Sequence, residues 1–242
     1  MGNLRTTTVI HRTFKKWKDK LNTIIFNFDT SGTPFGNQDR NSLKLFKLED
    51  KTLNVKSFRV PNVINQLAYR FLRKSKAQRS FEYAKQLQSL DIGTPQPIAY
   101  YEYKSLFLFN KSYYVSEQLE CDLTYRELTK DFNYPNHEAI LRAFTRFTYN
   151  LHQKQVKFLD HSPGNTLIKK VDDDYEFYLV DLNRMEFKPM DLEARIKNFA
   201  KLTTHKSLIK VMSEEYAKCS NESYETVFNL MWNNTQDFQR RY

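Results

Sequence analysis

Three oxygen-bearing side chains stand out by their spacing: Asp160, Asn165 and Asp181. Asn165 opens a short strand, TLIKK, which turns at Val171-Asp172-Asp173-Asp174 into a second strand, YEFYLV. Antiparallel strands return to their starting end, so this hairpin should carry Asp181 back beside Asp160 and Asn165. Magnesium takes hard oxygen ligands, commonly one or two carboxylates with phosphate oxygens and water. Asn165 and Asp181 offer an amide oxygen and a carboxylate, which leaves Asp160 to accept a proton from a hydroxyl. That is the equipment of phosphoryl transfer, where metal ions sit on the phosphates and a carboxylate orients the nucleophile.

Such chemistry needs a second grip on phosphate. Lys56 lies in a strand, Asn54-Val55-Lys56-Ser57-Phe58, among apolar and small neighbours. A half-buried ammonium needs a carboxylate partner, because an isolated buried charge is expensive. Glu82, on a helix farther along, is the natural candidate. The order strand lysine, helix glutamate, hinge, D-x4-N, hairpin and aspartate is that of protein-kinase-like folds.

The surrounding pattern must position these groups. Residues 10–21 (IHRTFKKWKDKL) read as a short basic amphipathic helix, and TIIFNF (23–28) as a strand. A turn-rich stretch follows over 29–41, with Gly32, Pro34 and Gly36. Alternation over 42–50 and 51–60, joined at Asp50-Lys51, predicts an antiparallel pair. Helical spacing runs over 63–90 (Val63, Leu67, Phe71, Ala84, Leu87), interrupted by the basic run RKSKAQR. PIAYYEY and SYYVSEQL read as two more strands; a long helix is expected over about 137–155, and helices from 191 to 242. The first half is mostly strand with one helix, the second mostly helix with one hairpin. The fold class is therefore α+β: a two-lobed, protein-kinase-like fold around a cleft. The N-lobe is placed at 1–118 and the helical C-lobe at 119–242, together one kinase-like domain.

Composition fits a folded chain of this kind. Of 242 residues 40% are hydrophobic and 15% aromatic, ample for a core and unlike a disordered chain. The net charge of +10 favours an anionic partner such as a phosphate-bearing substrate, nucleic acid or a membrane surface. The two cysteines, Cys121 and Cys219, form no zinc-ligand spacing and read as reduced thiols. No apolar stretch reaches the length of a spanning helix, and no apolar signal-peptide core stands at the N-terminus. The glycosylation sequons at Asn221 and Asn233 are then accidental. Met1-Gly2-Asn3-Leu4-Arg5-Thr6 fits the crude myristoylation pattern.

The sequence resembles the Kdo/WaaP-type lipopolysaccharide core kinases. The shared motifs are NVKSFRVPN (54–62), RKSKAQRSFEYAKQL (73–87), TPQPIAYYE (94–102), YYVSEQLECDLTYREL (113–128), LDHSPGNTLI (159–168) and VDLNRM (180–185). GNQDRNSLK (36–44) resembles the family's short phosphate loop. The likeness implies ATP and Mg2+, with Lys56 on the nucleotide phosphates, Glu82 holding it, and Asp160 as catalytic base. It implies Asn165 and Asp181 as metal ligands, and Glu117, Gln118 and Leu119 as the hinge whose backbone meets adenine. Gly36, Arg40 and Asn41 would line the phosphate loop. It further implies a sugar hydroxyl as acceptor, on Kdo (3-deoxy-D-manno-oct-2-ulosonic acid) or heptose of a lipopolysaccharide precursor. The place of work would be the cytoplasmic face of a Gram-negative inner membrane, which makes the myristoylation match void.

Departures narrow the activity. Phe158-Leu159 replace the His-Arg that precedes the base in protein kinases, and no Ala-Pro-Glu follows Asp181-Leu182-Asn183. These absences argue against a regulated protein kinase. The segments 70–79 and 12–20 are strongly basic, and Trp17 among cations suits contact with an anionic inner-membrane surface. Arg184 is a further candidate for substrate contact, whereas His152 and His161 read as structural. Two rival readings remain: a small-molecule phosphotransferase of the aminoglycoside or choline type, and a non-catalytic kinase-like binding module. The positive balance speaks against the first, and the presence of Lys56, Asp160, Asn165 and Asp181 against the second. No nucleic-acid motif occurs, so no nucleic-acid partner is expected.

Overall fold

The computed structural model describes residues 5–36, 41–60, 73–105 and 108–241. The chain divides into two compact units. The first comprises Met1–Ser89 with Pro95–Leu119, the second Leu90–Thr94 with Glu120–Tyr242.

The first unit contains β1 (Arg5–Ile10), a 3-10 helix (Arg12–Trp17), α1 (Lys18–Phe26), β2 (Thr33–Pro34), β3 (Asn41–Leu48) and β4 (Lys51–Phe58). It continues with α2 (Lys76–Ser89), β5 (Pro97–Lys104) and β6 (Phe109–Glu117). Among the described residues the strands form one sheet in the order β1-β5-β6-β4-β3-β2. β3 and β4 are the expected antiparallel pair, in register from Asn41↔Phe58 to Leu48↔Lys51.

The two faces of β4 part by the strand period of two. Leu53 and Val55 are buried with Leu21, Ile25 and Phe28 of the α1 segment. Phe58 joins Ala77 and Phe81 of α2 and Tyr100 on the opposite face. Lys56 shares that parity, so the alternation puts it on the side of the sheet that α2 covers.

Two expectations are corrected here. TIIFNF is not a strand, because residues 23–26 complete α1 and Phe28 packs just beyond it. Leu21, Ile25 and Phe28 recur at helical spacing, and burial of that stripe outweighs the β-branched run at 23–25. Lys44 holds the turn that follows α1, donating its Nζ to the carbonyls of Phe28 at 2.6 Å and Ser31 at 3.0 Å. Trp17, read above as a membrane-facing residue, packs at the first unit's core with its ring 5.5 Å from that of Phe14. No expectation covered β1, a threonine-rich strand paired with β5 from Arg5↔Lys104 to Ile10↔Ala99.

The helix expected over 63–90 is described from Lys76 onward; residues 61–72 lie outside the described set. Ser75 starts it, its Oγ accepting the Gln78 N–H at 3.0 Å as an N-cap.

The second unit holds β7 (Leu123–Thr124), α3 (Tyr125–Lys130), α4 (His137–Gln153), β8 (Val156–Phe158), β9 (Thr166–Val171) and β10 (Asp174–Leu179). β11 (Met185–Phe187), α5 (Leu192–Lys197), α6 (Lys206–Ser220) and α7 (Tyr224–Arg240) complete it. Its core joins Ile140 and Phe144 of α4, Met212 and Tyr216 of α6, and Val227 and Met231 of α7. A Thr124–Glu127 capping box starts α3, with the Glu127 carboxylate accepting the Thr124 N–H at 2.7 Å.

Residues 90–94 pack with the second unit, although the sequence reading placed them in the N-lobe. The Leu179 N–H donates to Gly93 O at 2.9 Å, and Thr94 Oγ1 donates to Leu179 O at 2.9 Å. No helix among the described residues is long and apolar enough to cross a membrane.

Candidate active site

The second unit gathers Asp160, Asn165 and Asp181 as the hairpin argument required. β9 and β10 pair antiparallel from Thr166↔Leu179 to Val171↔Asp174. The pairing ends with the Val180 N–H donating to Asn165 O at 3.0 Å, which places Asp181 one residue from the backbone of Asn165. The loop folds on itself: the Asn165 N–H donates to Ser162 O at 3.0 Å, and the Asn165 side-chain amide donates to Asp160 O at 2.8 Å.

That last bond decides the amide's orientation. With Nδ2 committed to a carbonyl, Oδ1 is the atom left to meet a cation. Asp181 has φ +58°, a left-handed conformation that Asp tolerates, and its Oδ1 accepts Asn183 Nδ2 at 2.7 Å. One amide oxygen and one carboxylate form the sparse hard-oxygen set that magnesium completes with water and phosphate. The residues present therefore fit that ion.

Asp160 has a neighbour that sequence reasoning missed. Lys201 Nζ lies 3.8 Å from Asp160 Oδ1 and donates to Leu159 O at 3.1 Å. Lys201 belongs to no motif and lies far along the chain, so no spacing could have found it. Arg126, on α3, lies against Gly164 of the same loop, where an added side chain would have to displace its guanidinium. Arg184 is exposed, and the Leu159 N–H donates to its main-chain carbonyl at 3.1 Å.

Both histidines near this loop are buried. His152 shares hydrogen bonds with Tyr216 OH at 2.9 Å and Asn198 Oδ1 at 3.3 Å, while Asn198 Nδ2 donates to Phe158 O at 2.7 Å. This ties α4 and α6 to the strand that leads into Asp160. Burial pushes His152 down to about 4. His161 is enclosed by the rings of Phe144, Phe158 and Phe199, and burial pushes it down to about 3.

In the first unit, Lys56 stands on β4 between Leu43 and Tyr114, half-buried, with its ammonium 5.4 Å from the centroid of the Phe58 ring. The expected ion pair with Glu82 is not the one formed. Glu82 accepts Lys74 Nζ at 2.7 Å and Gln78 Nε2 at 2.9 Å. Both donors lie at the start of α2, nearer to Glu82 along the chain than Lys56 is. The hydrogen bond with Glu82 raises the pKa of Lys74.

Two of the three residues expected in a phosphate loop, Gly36 and Asn41, are among the described residues. Gly36 has φ +65°, the left-handed region that favours glycine. Asn41 opens β3, and its Oδ1 accepts the Arg59 N–H at 3.4 Å. Arg40 lies outside the described residues.

At the segment expected to be the hinge, the Glu117 N–H donates to Gln96 O at 2.9 Å and the Gln118 N–H to Thr52 O at 2.8 Å. Glu117 pairs through its side chain with Lys51 at 2.7 Å, and Gln118 Oε1 accepts Asn54 Nδ2 at 2.8 Å. Of the three hinge amides, that of Leu119 has no hydrogen-bond partner among the described residues.

A model of the lipopolysaccharide kinase (Kdo/WaaP) family matches residues 33–222. No curated protein sequence matches the chain. Among solved structures, WaaP in complex with acyl carrier protein matches at 16% identity over 97% of each chain, with a TM-score of 0.67. Rio2 kinase from Chaetomium thermophilum, in its ADP/Mg2+-phosphoaspartate complex, matches at 16% identity over 88% of this chain and 65% of that one, with a TM-score of 0.49. At such identity the likeness to WaaP speaks for the fold, and the α+β, kinase-like architecture expected from the sequence is the one the chain has.

Proposed function

Because the chain belongs to the lipopolysaccharide kinase (Kdo/WaaP) family, we propose that it transfers the γ-phosphate of ATP to a sugar hydroxyl of the lipopolysaccharide inner core. Kdo is the first acceptor in this reading and heptose the second. The observation that carries it is the loop–hairpin junction of the second unit, where Asn165 bonds to Asp160 O through its side chain and to the Val180 N–H, next to Asp181, through its carbonyl.

Each group then has a task. Asp160 accepts the proton of the acceptor hydroxyl, so the oxygen attacks phosphorus with its lone pair exposed. Lys201 Nζ lies 3.8 Å from that carboxylate and places a positive charge beside it. Asn165 Oδ1 and the Asp181 carboxylate would hold Mg2+. When bound, the ion offsets the negative charge of the phosphates during transfer. Lys56 would bind the nucleotide phosphates. Glu82 would take up Lys56 on exchanging its present partner, Lys74. The Leu119 N–H would meet the adenine edge, and Gly36, Arg40 and Asn41 would lie over the phosphates.

The same reading puts the protein at the cytoplasmic face of the inner membrane. Arg12, Lys15, Lys16, Lys18 and Lys20 are exposed on consecutive helical turns, and Phe26 at the end of α1 is 87% exposed. Cations beside an exposed aromatic suit peripheral contact with anionic lipid.

The test is transfer of labelled phosphate from ATP to purified Kdo-lipid A precursor, with heptosylated core as the rival acceptor. Label on either is the expected result. Label on neither, but on a soluble cationic alcohol, would transfer the assignment to the aminoglycoside or choline class.

A further inference from the structure

We propose that the second unit carries a separate anion pocket which receives a phosphate monoester borne by the acceptor. This deepens the function proposed above and rests on it for the acceptor's identity.

The pocket is a cavity of about 320 Å³ between β8, α5 and the end of α7. Four cations face it: Lys157 from β8, Lys197 at the end of α5, Lys201 just beyond, and Arg241 after α7. One acid lines it, Asp237, which pairs with Arg240 at 3.8 Å. Glu186, cross-strand from Lys157, is held by Lys188 at 2.8 Å. Lys157, Lys197 and Arg241 therefore have no carboxylate within 4 Å among the described residues. Cations gathered around one concavity repel each other, and an entering dianion would relieve that repulsion.

A second observation points to a ligand. His161 lines the same cavity at 1% exposure, and neither of its ring nitrogens has a hydrogen-bond partner among the described residues. Buried polar groups without partners are rare, and a phosphate oxygen is an acceptor such an imidazole lacks. Leu159 and Phe238 supply apolar wall, which suits a sugar ring or an acyl-linked phosphate better than a bare ion.

The position relative to the proposed base is what links the pocket to the reaction. Lys201 lines it and reaches both Leu159 O and Asp160 Oδ1. A phosphate held there would leave the acceptor's hydroxyl near Asp160. Phosphate could arrive on a phosphosugar, on a phospholipid headgroup or as the nucleotide's own chain, and the test separates them.

The experiment compares the full chain with the K157A/K197A double variant, using calorimetric titration of glucosamine 1-phosphate, glucosamine, phosphatidylglycerol vesicles and MgATP. The wild type should bind glucosamine 1-phosphate and not glucosamine. The double variant should bind the phosphosugar at least about tenfold more weakly, as expected for loss of charge-assisted bonds, with MgATP unchanged. K157R/K197R should restore binding, which separates charge from folding. Equal phosphosugar binding by wild type and double variant overturns the proposal. So does a parallel loss of MgATP, which would assign the cations to the nucleotide, or vesicle binding lost in place of phosphosugar binding. If the wild type phosphorylates no lipopolysaccharide precursor yet this binding pattern holds, the proposed function falls and the pocket stands. If transfer is intact and the double variant keeps the acceptor KM, the pocket falls alone.

Discussion

Asn165 donates its side-chain amide to the main-chain carbonyl of Asp160 at 2.8 Å. One bond thus closes the D-x4-N loop and turns the asparagine oxygen away from it. A single substitution should therefore disturb two functions at once. Asn165→Ala should lower kcat by two orders of magnitude or more and raise the Mg2+ concentration needed for half-maximal rate. Asn165→Asp should restore part of the metal affinity and not the loop closure. Steady-state kinetics against Mg2+ distinguish these outcomes.

Asp160→Ala removes the proposed proton acceptor and leaves the proposed metal ligands, Asn165 and Asp181, in place. Turnover should fall by about 10²–10⁴-fold, the range of general-base catalysis, while calorimetry shows MgATP bound as in the wild type. Full turnover by this variant would refute the role given to Asp160.

Glu82 is held by Lys74, and the pair is exposed enough to contribute little to stability, about 0–1 kcal/mol. Lys74→Ala should leave Tm nearly unchanged and should not lower kcat, because it frees Glu82 for Lys56. Glu82→Ala should lower kcat. Equal losses in both variants would show that Glu82 works through Lys74.

Of the three proposed hinge amides, that of Leu119 alone has no hydrogen-bond partner among the described residues. Leu119→Pro removes that N–H and leaves the Glu117 and Gln118 bonds untouched. The KM for ATP should rise about tenfold, the equivalent of about 1.4 kcal/mol. Leu119→Ala, which keeps the amide, should stay near the wild type.

The buried histidines set an acid limit on stability. His152 and His161 are held neutral in the fold, with pKa values pushed down to about 4 and 3. Above the ordinary value near 6.5 both folded and unfolded chains are neutral there, and pH has no effect through them. Below it the unfolded chain takes up protons that the fold refuses. Stability should then fall by up to about 1.4 kcal/mol per pH unit for each histidine as pH drops towards 4. Tm measured between pH 7 and 5 should decline, and the slope should be shallower in His161→Phe, which replaces the ring without the proton site.

Much of this protein was legible from residue order. The pairing of β3 with β4, the long helix His137–Gln153 and the hairpin that returns Asp181 to Asn165 are local patterns. Periods of two and 3.6, with a tight turn between strands, determine them without reference to the rest of the chain. Tertiary packing decided what those periods left ambiguous. Residues 23–26 became helix because Leu21, Ile25 and Phe28 share a face that the sheet buries, and a short β-branched run carries no record of its neighbour. Glu82 took Lys74 rather than Lys56, a choice among nearby cations that depends on side-chain reach. Lys201 came to Asp160, and Lys157, Lys197, Arg241 and His161 to the lining of one cavity, from separate elements; such convergence is a property of the folded backbone, which spacing along the chain does not encode.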